Sequence, residues 1–420
     1  MAKLARTRLA GTIVATALCA AAANAAVAQD RGLVLNNQLQ LGDVVAGQTL
    51  NVVDVSAQVT SSAAASGNSL IGGTEGEALR LRSSQTMRGD AAGSTTLTLG
   101  GDTRGRVTSI TQARANYLAS TAINAPMAVE AEQTGDGDVT ASSRITGVDA
   151  RLISGGQIAS GAFGNTVALA GAASGSHRTA VTGNIDQTMN GDVRATNTAS
   201  PRYAPAPTDF SSEAVANAVQ VSTGPSSNQE LTVRQRSSGV EVEADTSVWA
   251  GNAWDLTGRA RAAGNQAAFY NQGGSLITTT EQDNSAQIRG SVELSSYDFG
   301  AATAAADAIG NNVVVGNNDI YVDIDNIQNN TGGVEASASF VGQKGYDAYV
   351  GANAAGNSIT GYACAQCGGD LNANNVQTNA GNVRAMTNTT INGQGRNVIA
   401  GSNAVGNAAT FYVTGNGGGG

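Results

Sequence analysis

Few side chains in this sequence can do chemistry, and their spacing narrows what that chemistry is. Cys364-Ala-Gln-Cys367 is a lone C-x-x-C pair. A zinc site wants a second pair or histidines, and a redox centre wants a βαβ setting. Neither surrounds these residues, so Cys364 and Cys367 read as a small disulfide in a loop of an exported chain. His177 is the single histidine and has no nucleophile motif beside it. Gly135-Asp-Gly-Asp138 and Asp323-Ile-Asp325 space carboxylates as a calcium site would, yet the nonapeptide calcium repeat is absent. Arg88-Gly89-Asp90 is an integrin-type tripeptide whose Gly and Asp are already required by the repeat described below. A carboxylate pair on a β-helix could cleave a polysaccharide, but such sites gather acids and bases on one face, and the segments here carry mainly Thr, Ser and Ala. No catalytic residue, cofactor site or metal site is assigned, and the reading is of a protein that is not an enzyme.

The bulk composition agrees. Net charge is −9, and one lysine, Lys344, follows the N-terminal segment. That balance argues against nucleic acid, which needs a basic surface. Aromatics are 4% and charged residues 13%, low for a globular enzyme. Residues 1–28 are expected to be a secretory signal: Lys3, Arg6 and Arg8 precede an apolar run from Gly11 to Ala23, and Ala26-Val27-Ala28 suits cleavage before Gln29. No later stretch is long and apolar enough to cross a membrane as a helix.

What positions the remaining polar residues is a repeat. Gln stands at Gln38, Gln85, Gln133, Gln187, Gln235, Gln282, Gln328 and Gln377. Asn stands in matching register at Asn68, Asn116, Asn165, Asn217, Asn265, Asn311, Asn357 and Asn407, with Ala three residues before each. A period near 48 residues is the mark of a repeat architecture. Gly or Ala falls four residues after each Gln and one before each Asn, which suggests a finer step of about 24 residues and two alternating kinds of coil.

Segments after each Gly alternate apolar and polar residues, as in Val193-Arg-Ala195 and Ile288-Arg-Gly-Ser-Val292, the period of a half-buried strand. Gly and Asn at the corners suit left-handed backbone. Stacked Gln and Asn amides, about 4.8 Å apart, can each donate to the next as a structural ladder. The expected fold is therefore all-β: a single elongated β-solenoid of eight ~48-residue repeats, about sixteen coils, over residues 29–414. Irregular loops are expected near 171–184, around His177, and near 200–209, where prolines cluster. Residues 415–420 read as a flexible Gly-rich tail.

These Gln, Gly, Asn and Ala registers resemble curlin repeats, the strand-loop-strand units of curli fibres, although curlin compresses them into one short string. As a whole the chain is similar to the holdfast attachment protein D family of stalked alphaproteobacteria. That resemblance implies a cell-surface anchor, exported and held at the outer membrane, that attaches a polysaccharide holdfast to the envelope. It also implies partners: the exopolysaccharide adhesive, a curlin-like companion subunit, and an outer-membrane lipoprotein resembling the curli export channel. Self-association and a curlin-like fibre role stay open, as does a polysaccharide-processing solenoid enzyme.

Overall fold

Alternation of apolar and polar residues produces strands throughout. The computed structural model describes residues 32–319, 321–365 and 369–415. The expected signal segment, Cys367 and the end of the expected tail lie outside the described residues. Of those described, 82% are strand and none is helical. Even the Ala-rich stretch Ala301–Ala308, whose period is ambiguous, lies inside the strand Gln287–Asn317.

All strand pairs are parallel, and the chain winds as a β-helix. One turn shows the plan. Thr179–Met189 forms the first side, Val193–Ala204 the second and Thr208–Thr223 the third, and Ser227–Ser237 then starts the next turn above Thr179–Met189. First-side strands make an eight-stranded sheet. Second and third sides belong to one further sheet, because in three turns they merge: Glu241–Asn271, Gln287–Asn317 and Val334–Ala365 each cover both.

The register corrects the expected step of 24 residues. Partners one rung apart are separated by 46 to 54 residues, as in Gln282 with Gln328 and Gln133 with Gln187. Sixteen coils are therefore replaced by one coil per full repeat. Gly381 lies over Gly332 and Gly356 over Gly406; Gly381 and Gly406 are two corners of the same turn. The half-period arose because both corners demand a small residue.

The reason for Gly at these corners is also different from the one expected. Positive φ occurs at Gly32, Gly76, Gly155, Gly175, Gly183 and Gly274, none of them a repeat corner. The corner glycines are needed for close approach instead. A Cβ on Gly137 would collide with the Gly89 carbonyl, and one on Gly191 with the Gly137 carbonyl. At these glycine corners one rung leaves no space for a side chain against the next, although Ala115, Ala216 and Ala286 fit at other corners.

Inward side chains form two apolar clusters. One includes Met87, Val107, Ala115, Val139 and Phe210; the other includes Leu81, Leu118, Val129, Val167 and Phe269. Along each first-side strand the repeat Gln lies between them, with Leu81 on one flank and Met87 on the other for Gln85. Each repeat Asn but the terminal Asn407 is buried, directly after Ala or Gly, and the pairing skips the residue before it: Ser66 pairs with Arg114 and then Asn68 with Asn116. The third side thus bends at Asn without leaving the sheet.

The irregular middle is tighter than anticipated. The corner holding His177 spans residues 173–178, between Gly156–Ala172 and Thr179–Met189. The proline segment 200–209 is not a loop over its whole length. Ser200 and Pro201 are paired within Val193–Ala204, the register shifts between Pro201 and Tyr203, and the next strand starts at Thr208. A bulge accommodates the missing Pro donor, leaving only 205–207 as the corner.

Candidate functional site

Two rows of amides run the length of the stack. Gln85 Nε2 donates to Gln38 Oε1 at 2.7 Å, Gln133 to Gln85 at 2.7 Å and Gln187 to Gln133 at 2.8 Å. The row continues through Gln235, Gln282, Gln328 and Gln377 at 2.7–2.8 Å. Asn68 Nδ2 donates to Asn116 Oδ1 at 2.8 Å, Asn116 to Asn165 at 2.7 Å and Asn165 to Asn217 at 2.9 Å. Asn217, Asn265, Asn311, Asn357 and Asn407 follow at 2.8–2.9 Å.

Each amide uses its second N–H to brace the other row. Gln133 Nε2 donates to the Thr166 carbonyl, directly after Asn165 in its own turn, at 3.1 Å. Asn165 Nδ2 donates to the Thr188 carbonyl, directly after Gln187 in the next turn, at 2.8 Å. Asn284, Asn330 and Asn379, two residues after their Gln, make a third row at 2.7 Å, in the place Met87 and Met189 occupy earlier in the chain. Sequence reading missed this row because it has only three members.

The two long rows point in opposite directions. Every Gln donates toward the N-terminal end and every Asn toward the C-terminal end. At the N-terminal end the outermost groups are therefore a Gln38 N–H and the Asn68 Oδ1. At the C-terminal end they are the Gln377 Oε1 and an Asn407 N–H. Among the described residues nothing covers the end rungs: Val44, Leu50, Val52, Val383, Ala385 and Ile391 point inward yet are only partly buried. Natural solenoids usually close such ends with polar caps, since an open strand edge is a template for pairing.

Carboxylates are engaged between rungs. Asp43 Oδ1 accepts from the Asp90 backbone N–H at 2.9 Å, Asp90 from Asp138 at 2.8 Å and Asp138 from Asp192 at 2.9 Å. This corner row accounts structurally for the Arg88-Gly89-Asp90 tripeptide and for Asp138. Asp136 accepts from Asn190 at 2.8 Å, and Asp323 and Asp325 accept from Asn372 and Asn374 at 3.0 and 3.1 Å. Glu241 sits between Arg194 at 3.0 Å and Arg289 at 2.7 Å. Burial, then Glu241, pushes the neighbouring Glu243 carboxyl up, and burial pushes Asp245 up despite hydrogen bonds from Ser247 and Ser291. Among the described residues no three His, Cys, Asp or Glu side chains converge as a metal site would require. Cys364 is the penultimate residue of the strand Val334–Ala365, and its expected partner Cys367 lies outside the described residues. His177 Nδ1 is 3.0 Å from the Ser174 carbonyl, within its own exposed corner.

A feature the sequence reading passed over lies between the second and third sides. Both tryptophans of the chain, Trp249 and Trp254, are within one stretch and half-exposed, as are Tyr297 and Tyr346. The signal was available: large aromatics are rare here, and these cluster.

The model of the holdfast attachment protein D family matches residues 53–333, from the first repeat through the seventh Gln. Neither a curated protein nor a solved structure matches the chain. With two-thirds of its length matched, and with the matched span lying within the stacked turns, the chain belongs to the holdfast attachment protein D family.

Proposed function

We propose that this protein is a non-catalytic anchor at the outer surface of the cell, joining a polysaccharide holdfast to the envelope. Residues 29–414 form one solenoid of eight coils in this reading, with residues 1–28 removed on export and 415–420 a tail. The Gln and Asn rows act as the structural ladder that holds the coils in register. The observation that carries the anchor reading is the family match over the stacked turns. A role in holdfast attachment needs two attachments, one to the adhesive and one to the envelope, and a rigid stack presents them at a fixed separation. Its outer faces carry many Thr, Ser and Asn side chains at regular rung spacing, which favours multivalent contact with a repeating polymer over one tight pocket.

The open ends support the partner half of the proposal. A curlin-like companion stacking on an end rung would gain backbone pairing and continue an amide row, and a curli-channel-like lipoprotein would export the subunits. The opposite polarity of the two rows favours a second reading as well. The N-terminal end of one copy offers a Gln donor and an Asn acceptor where the C-terminal end of another offers a Gln acceptor and an Asn donor. Head-to-tail contact matches donors with acceptors, as a fibre subunit requires; head-to-head contact opposes like groups.

Deletion of the gene tests the anchor. Cells should still make the adhesive but shed it into the medium. Adhesive that stays on the cell refutes the anchor, and adhesive that is never made favours a processing enzyme. Seeded growth of thioflavin-positive fibres by the purified protein alone would favour the fibre reading.

A further inference from the structure

We infer that the corner formed by Trp254, Gly300, Tyr346 and Arg396 is a binding site for a polysaccharide of uncharged pyranose rings; this rests on the anchor reading above and gives it an address. The site is built over four successive rungs. Ala253 pairs with Phe299 and Phe299 with Gly345, so Trp254, Gly300 and Tyr346 follow one another up the stack. The Tyr346 carbonyl accepts from the Arg396 backbone N–H at 2.7 Å, one rung further.

Gly300 is the floor. A Cβ there would lie 2.9 Å from indole Cδ2 and 3.1 Å from Cε3 of Trp254. The indole therefore lies along the stack over the glycine backbone instead of standing out from its own rung. It meets Tyr346 edge to face, with centroids 5.9 Å apart and planes at 73°. Arg396 covers Tyr346 at 5.3 Å and is held in place by the Asp347 carboxylate, to which its Nε donates at 3.0 Å. Trp254 remains 57% exposed and Tyr346 49%. Two large rings are thus fixed in orientation, each with about half of its surface open to solvent.

The chemistry favours a sugar. The C–H bonds on one face of a pyranose carry partial positive charge and suit the negative face of an aromatic ring. The ring's equatorial hydroxyls need donors and acceptors around the platform, and Asn252, Asp298, Lys344 and Gln394 line the same cleft of about 420 Å³. Charge selects against acidic polymers. Arg396 is already paired with Asp347, and the remaining charged lining residues are Asp298 and Asp255 against the single cation Lys344. From Trp254 to Arg396 is three rungs, about 14 Å at the spacing of stacked strands, which fits a short run of a polymer and exceeds one monosaccharide. A protein partner would also use exposed aromatics, and the experiment separates the two.

The test is affinity electrophoresis of the mature protein through gels containing soluble β-glucan, xylan, galactomannan or a polymer of N-acetylated hexosamine, with alginate as the anionic comparison and shed adhesive as the native material. At least one neutral polymer should retard the wild type. Trp249→Phe should bind equally, and its remaining tryptophan, Trp254, should change fluorescence on binding. Trp254→Ala and Tyr346→Ala should bind about tenfold more weakly, as loss of one stacking contact implies, with unchanged melting. Tyr346→Phe, which keeps the ring, should bind like the wild type. The inference is overturned if no neutral polymer or shed adhesive retards the protein, if Trp254→Ala and Tyr346→Ala bind normally, if Tyr346→Phe fails as Tyr346→Ala does, or if alginate binds more tightly than every neutral polymer. If deletion of the gene sheds adhesive while these variants bind normally, the anchor stands and this site falls. If the site binds sugar but deletion sheds nothing, the site stands and the anchor falls.

Discussion

Replacing Asn311 by Leu removes a rung from the Asn row while keeping the branched shape of the side chain. Asn311 is fully buried. Its Nδ2 donates to Asn357 Oδ1 at 2.8 Å and to the Asn329 carbonyl at 2.9 Å, and its Oδ1 accepts from Asn265 at 2.8 Å. Leu removes one hydrogen bond from each of three neighbouring groups, each costing ~1–3 kcal/mol, offset by ~1.5–3 kcal/mol for burying its own apolar surface. The expected net loss is on the order of 3 kcal/mol. Asn407→Leu is the internal comparison. Asn407 is exposed on the last rung and contributes mainly an acceptor to Asn357 at 2.8 Å, so its loss should cost about 1 kcal/mol or less. Urea unfolding followed by far-UV circular dichroism reads both, compared as midpoints because a stack of coils need not unfold in one step. Equal shifts at the two positions, or none at Asn311, would refute the structural role of the row.

Three further outcomes follow from the same geometry. Gly137→Ala should destabilise markedly, since its Cβ meets the Gly89 carbonyl, whereas Gly42→Ala, with nothing within 4 Å, should be nearly neutral by thermal melting; similar melting of the two would refute close approach as the reason for glycine. Asp245→Asn should raise the melting temperature at neutral pH, because burial raises the Asp245 pKa and the folded state resists its charge. That gain should shrink as pH falls through the raised value and be gone below the ordinary 3.8, where the carboxyl is neutral in both states; a gain that grows with acid would contradict the sign. Gln377→Leu and Asn407→Leu should suppress any concentration-dependent association seen by light scattering, while the same changes at exposed Asn392 should not; association unaffected by either end change would rule out head-to-tail contact through the amide rows.

The sequence by itself determined the register of this protein. An amide that must both donate to and accept from its counterpart one rung away cannot be exchanged for another residue type, so Gln38 to Gln377 and Asn68 to Asn407 recur visibly. Strand content was legible for a similar reason: one face of each strand is buried, and alternation records that. Coil length was not legible, because Gly381 and Gly406 answer the same steric demand at two corners of one turn and mimic a shorter period. Nor could the sequence give the reason for those glycines, which lies in the carbonyl of the rung beside them and not in their own backbone angles. The opposed polarity of the two rows depends on which way each amide is turned, a choice made by the carbonyls they brace. The aromatic corner is the clearest case. Trp254, Gly300, Tyr346 and Arg396 are far apart in the chain and belong to no shared motif, and only the parallel stacking of their turns lays one beside the next.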